Sequence, residues 1–238
     1  MRIRLSFQMS SFPLGYRFGL LSVIKDIIRE GSEAYYDEFF VKNKNKIKPY
    51  AFSAYFKDMK IEENKIFAKE LHLTISSSKY DFIMFLINGS QKKKQFIYKD
   101  HLLELKRVEM LKIDDIKHSI TAFRTLSPIL IENKDGKPLS PDSPNYLCEL
   151  EYASQNMVTE LLQRPLQQPI NILQSSLQKQ VIKEHFHQTQ DKPLYFTAFK
   201  GLIVLEAHKE DLQCLYDCGL GFRTNQGFGL LAREEVGG

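Results

Sequence analysis

The sequence contains no tryptophan and only three cysteines in 238 residues. Cys148, Cys214 and Cys218 form no CxxC pair and no Cys/His cluster at zinc-ligand spacing, which argues against a disulfide-stapled secreted scaffold or a zinc module. Cys214 and Cys218 stand four apart, on one face if helical, and read as small buried apolar residues. No apolar run approaches the ~20 residues that span a bilayer. Arg2 and Arg4 sit inside an alternating pattern rather than ahead of an apolar stretch, so no signal peptide is expected. The expectation is a cytoplasmic protein with no membrane partner. Charge of neither sign dominates: 33 Lys and Arg face 29 Asp and Glu, a net of +4. Such an excess permits an anionic partner without requiring one. Histidine is scarce as well, and the first is His72.

A 43% hydrophobic content is enough for a packed core. Ile3, Leu5, Phe7 and Met9 alternate with polar residues and predict a strand. Leu20, Leu21, Ile24, Ile27 and Ile28 recur at helical spacing up to Gly31, and Ser32 can cap a short helix running to about Phe40. Lys42 to Lys48 places a lysine at every second position. Strands are expected over 51–56, 66–76 and 102–112, with a helix over 81–87. This β-α-β-β-α-β order is the ferredoxin-like pattern. The second half repeats it less cleanly: strand signals over 119–131 broken at Pro128, a turn-rich loop over 133–144, a helix over 146–162, strands over 181–187 and 195–205, a helix over 209–216 and a last strand near 228–232. The domain boundary falls near residues 112–119, giving domains 1–115 and 116–238.

The most informative segment is Gly219-Leu220-Gly221-Phe222-Arg223-Thr224-Asn225-Gln226-Gly227-Phe228-Gly229, two Gly-apolar-Gly units separated by five residues. Glycine adopts positive φ cheaply and lets another backbone come close. A loop of this kind can approach a phosphate chain, with Arg223, Asn225 and Gln226 as donors. A dinucleotide fingerprint is excluded, because no βαβ unit fits after the loop. A tight hairpin that needs glycine for geometry alone remains the other reading.

This glycine pattern resembles the signature of the CRISPR-associated endoribonucleases that process repeat RNA, the Cas-six family of the RAMP superfamily. Thr125-Leu126-Ser127-Pro128-Ile129, the lead-in 193–201 with the helix after it, and the opening strand followed by Pro13-Leu14 agree with it. The resemblance implies an α+β fold of two tandem ferredoxin-like (RRM-like) domains, with CRISPR repeat RNA as the partner and other CRISPR-associated proteins as further partners. It implies cleavage without metal or other cofactor: the 2′-hydroxyl attacks the adjacent phosphorus and the 5′-oxygen leaves. The RNA contacts would be Gly219, Gly221, Arg223, Asn225, Gln226, Gly227 and Gly229.

Family members commonly keep a histidine just after the first helical region, a tyrosine on the first helix and a lysine nearby. Here Phe39-Phe40-Val41-Lys42 holds no histidine, and Lys25 stands where the tyrosine would. The resemblance implies that lysines serve in its place, which makes Lys25, Lys42 and Lys48 the candidate catalytic residues. A desolvated lysine near other cations can act in proton transfer. A solvated loop explains the Lys42–Lys48 run equally well, and a non-catalytic repeat-RNA-binding subunit is the alternative function. His185 and His187 alternate next to Glu184 and could face RNA. His72, His101, His118 and His208 show no partner pattern.

Overall fold

The computed structural model describes residues 1–185 and 193–234, the His185 side chain excepted. His187 therefore lies outside the described residues, as does the side chain of His185. In chain order the first elements are β1 (Arg2–Gln8), β2 (Ser11–Pro13), α1 (Arg17–Gly31), α2 (Glu33–Tyr36) running into a π-helical turn (Asp37–Lys42), β3 (Tyr50–Lys57), β4 (Lys60–Glu62), β5 (Lys65–Phe67) and β6 (Glu70–Ser77). They continue as α3 (Tyr80–Lys92), β7 (Gln95–Tyr98), β8 (His101–Leu111), β9 (Ile120–Thr125), α4 (Tyr146–Leu162), β10 (Asn171–His185), β11 (Pro193–Glu206), α5 (Lys209–Cys218) and β12 (Leu231–Glu234). The chain forms two compact units. Met1–Lys46, Ala54–Lys112 and Lys183–Leu194 make the first, and Ile47–Ser53, Ile113–Ile182 and Tyr195–Gly238 make the second. Among the described residues no helix is long and apolar enough to cross a membrane.

In the first unit the sheet order is β3-β6-β1-β8-β7. Of the ferredoxin set β1-α1-β3-β6-α3-β8, the strands therefore lie second, third, first, fourth. The alternation in β1 decides its faces: Ile3, Leu5 and Phe7 are buried against the helices, while Arg4, Ser6 and Gln8 point to the other side. Opposite Ile3 and Leu5, β6 contributes Ile75 and Leu73. Leu20, Ile24, Ile27 and Ile28 fill the inner face of α1. This helix meets α3 at two glycines, because a Cβ on Gly31 would strike the Phe85 carbonyl and one on Gly89 the Ile27 carbonyl. The expected strand over 66–76 divides at Ala68-Lys69 into β5 and β6. The short strands β2, β5 and β4 make a separate sheet that buries Phe12 and Ile66.

The second unit repeats the topology, with sheet order β10-β11-β9-β12, again second, third, first, fourth in the set β9-α4-β10-β11-α5-β12. The fold is thus α+β with two ferredoxin-like halves. Phe123, Ile203 and Leu205 from the sheet pack with Tyr146, Leu150 and Val158 of α4 and Leu212 and Leu215 of α5. Cys214 and Cys218 are buried there as expected, whereas Cys148 is exposed on α4.

The start of α1 has no capping side chain of its own. Glu184 supplies one from 167 residues away: its Oε1 accepts from the Arg17 backbone N–H at 3.4 Å and from Arg17 Nη1 at 3.3 Å. The Glu184 side chain is 1% exposed, and its Oε2 accepts no hydrogen bond among the described residues. Burial pushes this carboxyl above the ordinary glutamate value, and Arg17 opposes that rise. Removing the cation alone would strand a buried carboxylate. Arg17→Ala should therefore lower stability by about 3–5 kcal/mol, and Glu184→Gln by less, read as shifts of the urea unfolding midpoint.

Candidate functional site

The lysine candidates begin with the segment after α1. Ser32 Oγ accepts from the Tyr35 N–H at 3.2 Å and starts α2, as its position predicts. The backbone then widens into a π-turn, closed by the Asn43 N–H donating to the Glu38 carbonyl at 3.2 Å. Insertions of this kind recur at functional sites because they re-aim side chains. Here the turn carries Phe39 and Phe40 into an aromatic cluster. Tyr35 stacks on Phe39 at 5.3 Å, Phe39 meets Phe82 at 5.4 Å, and Tyr36 meets Phe40 at 5.4 Å.

Along α1, Lys25 and Arg29 lie over this cluster, with Lys25 Nζ 5.3 Å from the Phe40 ring centre and the Arg29 guanidinium 4.1 Å from that of Tyr36. Burial, and then the charge of Arg29, hold the Lys25 ammonium below the ordinary lysine value. Arg29 was missed by sequence reasoning, although its position four residues beyond Lys25 puts it on the same helix face. Lys42 ends the π-turn exposed, 3.5 Å from Glu38 in an i,i+4 ion pair. Lys48 belongs to the segment 47–53 of the second unit and is buried, at 8% exposure. Thus Lys25 shares one cluster with Arg29, Tyr36 and Phe40, Lys42 stands at the end of the same turn, and Lys48 is part of the other unit. The Tyr35 hydroxyl is a poor acid: burial first, then Asp81, push its pKa up.

The glycine loop belongs entirely to the second unit. All four glycines have positive φ: 94° at Gly219, 91° at Gly221, 86° at Gly227 and 67° at Gly229. The loop is stitched to the Ser127-Pro128 segment that follows β9. The Gly229 N–H donates to the Pro128 carbonyl at 2.8 Å, the Phe222 N–H to the Leu130 carbonyl at 2.8 Å, and the Leu126 N–H to the Leu230 carbonyl at 2.7 Å. Ser127 Oγ accepts from the Leu230 N–H at 2.9 Å.

What comes close at three of these glycines is protein. A Cβ on Gly221 would lie 2.7 Å from the Leu130 carbonyl oxygen, one on Gly219 2.8 Å from the Ala51 Cβ, and one on Gly229 would overlap the Leu220 carbonyl. The outward part of the loop is Arg223, Asn225 and Gln226, of which Arg223 is exposed and the two amides half-buried. Arg223 Nε donates to Glu132 Oε2 at 2.8 Å, and its guanidinium lies 5.4 Å from the Phe196 ring centre. Phe228 is buried and meets Phe196 edge-on at 5.7 Å, a packing position.

The histidines divide by role. His208 accepts from the Glu210 N–H and caps α5, and His101 is buried with Nδ1 3.0 Å from Ser11 Oγ. His72 stands on the outer face of the first sheet.

A family model described as CRISPR associated protein Cas6, C-terminal, matches residues 108–232, more than half of the chain. A search of curated proteins by sequence finds no match. Among solved structures, a Cas6-related protein from Pyrococcus furiosus is 20% identical over 100% of both chains, with a TM-score of 0.80. A protein described as an RAMP protein binding different RNA substrates is 18% identical over 99% of this chain and 100% of that one, with a TM-score of 0.81. A Thermus thermophilus Cas6 solved as a product complex is 14% identical over 98% and 99%, with a TM-score of 0.69.

Because three of the loop glycines face protein at positive φ, a side chain there combines backbone strain with a clash. Gly221→Val and Gly229→Val should each lower stability by about 2–5 kcal/mol. Asn225→Ala should stay within about 0.5 kcal/mol of the parent protein. Thermal unfolding of the three variants side by side checks this.

Proposed function

The chain belongs to the family of CRISPR-associated Cas6 proteins, and on that premise we propose that it binds CRISPR repeat RNA in the cytoplasm and cleaves it without a metal to give mature guide RNAs. The observation that carries the catalytic part is the Lys25 ammonium, half-buried over Phe40 with Arg29 one turn away. Both features favour the neutral amine, the form able to take a proton. In the reaction the 2′-oxygen loses its proton and attacks the adjacent phosphorus. The bond from phosphorus to the 5′-oxygen then breaks, that oxygen takes up a proton, and a 2′,3′-cyclic phosphate remains. Lys25 serves as the base. Lys42 offsets the charge of the phosphorane and protonates the leaving oxygen, and Lys48 adds a third cation. Arg223, Asn225 and Gln226 hold the strand by its phosphates and sugars, while Gly219, Gly221, Gly227 and Gly229 shape the loop that presents them. A non-catalytic repeat-RNA-binding subunit is the second reading. It is favoured by the absence of a histidine in this segment and by the pairing of Lys42 with Glu38.

Single-turnover cleavage of the cognate repeat in EDTA tests the first reading. Lys25→Ala should lower the rate by about 100-fold or more, in the range of a lost general base, with RNA affinity kept. The sign of the pH effect follows from the lowered pKa: the rate rises with pH as Lys25 deprotonates and levels off below the ordinary lysine value of 10.5. Loss of cleavage only in His185→Ala or His187→Ala would move the active site, and no cleavage by the parent protein would leave the binding subunit as the better reading. Repeat affinity should also fall steeply with salt, because bound lysines and arginines displace counterions from phosphates. Filter binding across a salt series measures that slope.

A further inference from the structure

We propose that the outer face of the first unit's sheet is a second RNA-binding surface, a stacking platform for an unpaired nucleotide, built on Tyr55 and His72. This rests on the reading of the protein as an RNA binder, but it uses neither the lysine cluster of the π-turn nor the glycine loop.

Strand alternation sends Tyr55 of β3 and His72 of β6 to the side of the sheet away from the helices. Their rings are parallel to within 4°, with centroids 6.0 Å apart. Tyr55 is 62% exposed, the most open tyrosine of any strand in the sheet. The His72 ring is held from two sides, by Ser6 Oγ 2.9 Å from Nδ1 and by Glu70 Oε2 3.6 Å from Nε2. A large aromatic ring left in water on a strand gains nothing for the core, and a parallel neighbour held by a hydrogen bond on one side and a nearby carboxylate on the other makes it a flat, ordered surface. Bases stack on such surfaces without regard to sequence.

The surroundings supply the complementary charge. Two shallow grooves that share Lys69 and Glu70 run along this face and past its edge toward β4. Arg4, Lys57, Lys60, Lys69, Lys106 and Arg107 line them, against Asp58, Glu70 and Glu109. Lys57 is paired with Glu70 at 3.5 Å, Lys106 with Glu104 at 2.7 Å and Arg107 with Glu109 at 2.9 Å. With Glu104 counted, six cations against four carboxylates leave an excess of two positive charges beside the ring pair. Cations spaced along a groove with an open ring pair between them suit a polyanion that carries flat bases. An acidic peptide would use the cations and leave the rings idle.

The test is fluorescence anisotropy of a labelled short oligouridylate and of an abasic strand of equal length. The proteins are the parent, Tyr55→Ala, Tyr55→Leu and Tyr55→Phe, with cleavage of the cognate repeat measured in parallel. Because Tyr55 is exposed, these variants should unfold at the parent's temperature, and Tyr55→Leu keeps bulk on the strand if alanine loosens it. Tyr55→Ala and Tyr55→Leu should bind oligouridylate about tenfold more weakly, the scale of one lost stacking partner, whereas Tyr55→Phe should bind like the parent. The abasic strand should bind the parent about as weakly as oligouridylate binds Tyr55→Ala. Equal affinity of the parent for both strands would overturn the platform and leave a charged surface fit for an acidic peptide. Unchanged affinity in Tyr55→Ala, or no binding of oligouridylate by the parent, would overturn it too. If the repeat is not cleaved while Tyr55-dependent binding persists, the platform stands and the nuclease reading falls alone.

Discussion

Two backbone hydrogen bonds, Gly229 to Pro128 and Phe222 to Leu130, fasten the last crossing of the chain to the exit of β9, and the closure of the second unit depends on them. For β12 to lie beside β9 in antiparallel register, the chain leaving α5 must turn back under the segment 126–131. There is room for a backbone in that space and none for a side chain at Gly221 or Gly229. The same turn fixes what points outward: with the glycines folded against the protein, Arg223 and its two amide neighbours are what the loop can offer a ligand. The glycines that set the shape of the loop thus flank the polar residues that it turns outward.

Electrostatics in the first unit rest on unequal burial of similar groups. Lys25 and Lys42 are near neighbours of one π-turn, yet the first is pressed against aromatic rings and the second stands in water beside a carboxylate. Burial, and then the charge of Arg29, favour the neutral amine of Lys25. On the opposite side of the sheet the arrangement is looser. Its cations are mostly exposed and partly paired, and such pairs in water contribute little to stability.

Regular elements with one buried face were legible in the sequence. The alternation of β1, the apolar spacing of α1 and the whole of α4 follow from a period that the core enforces. The glycine pattern identified a loop and a family, yet it carried no information about what fills the space at each glycine, because Leu130 and Ala51 come from distant parts of the chain. The strands β2, β4 and β5 are three residues each, too short to show a period. The sequence shows only the end of β10, from 181, because its earlier residues, 173–176 and 178–180, are exposed on both faces and so lack alternation. The π-turn has no sequence signature apart from its aromatic residues, and its consequence for Lys25 depends on a helix that precedes it. Tyr55 and His72 are 17 positions apart and meet only through strand pairing.

The cap that Glu184 places on α1 bears on how the chain comes into being. A protein emerges from the ribosome from its amino terminus, and domains generally fold as they emerge. Here all five strands of the first sheet have been made by residue 111, but the carboxylate that receives the Arg17 amide and guanidinium is still more than 70 residues from being made. Until then the Arg17 N–H has no Glu184 carboxylate to donate to. The cap on α1 thus becomes available only with the synthesis of β10, late in translation.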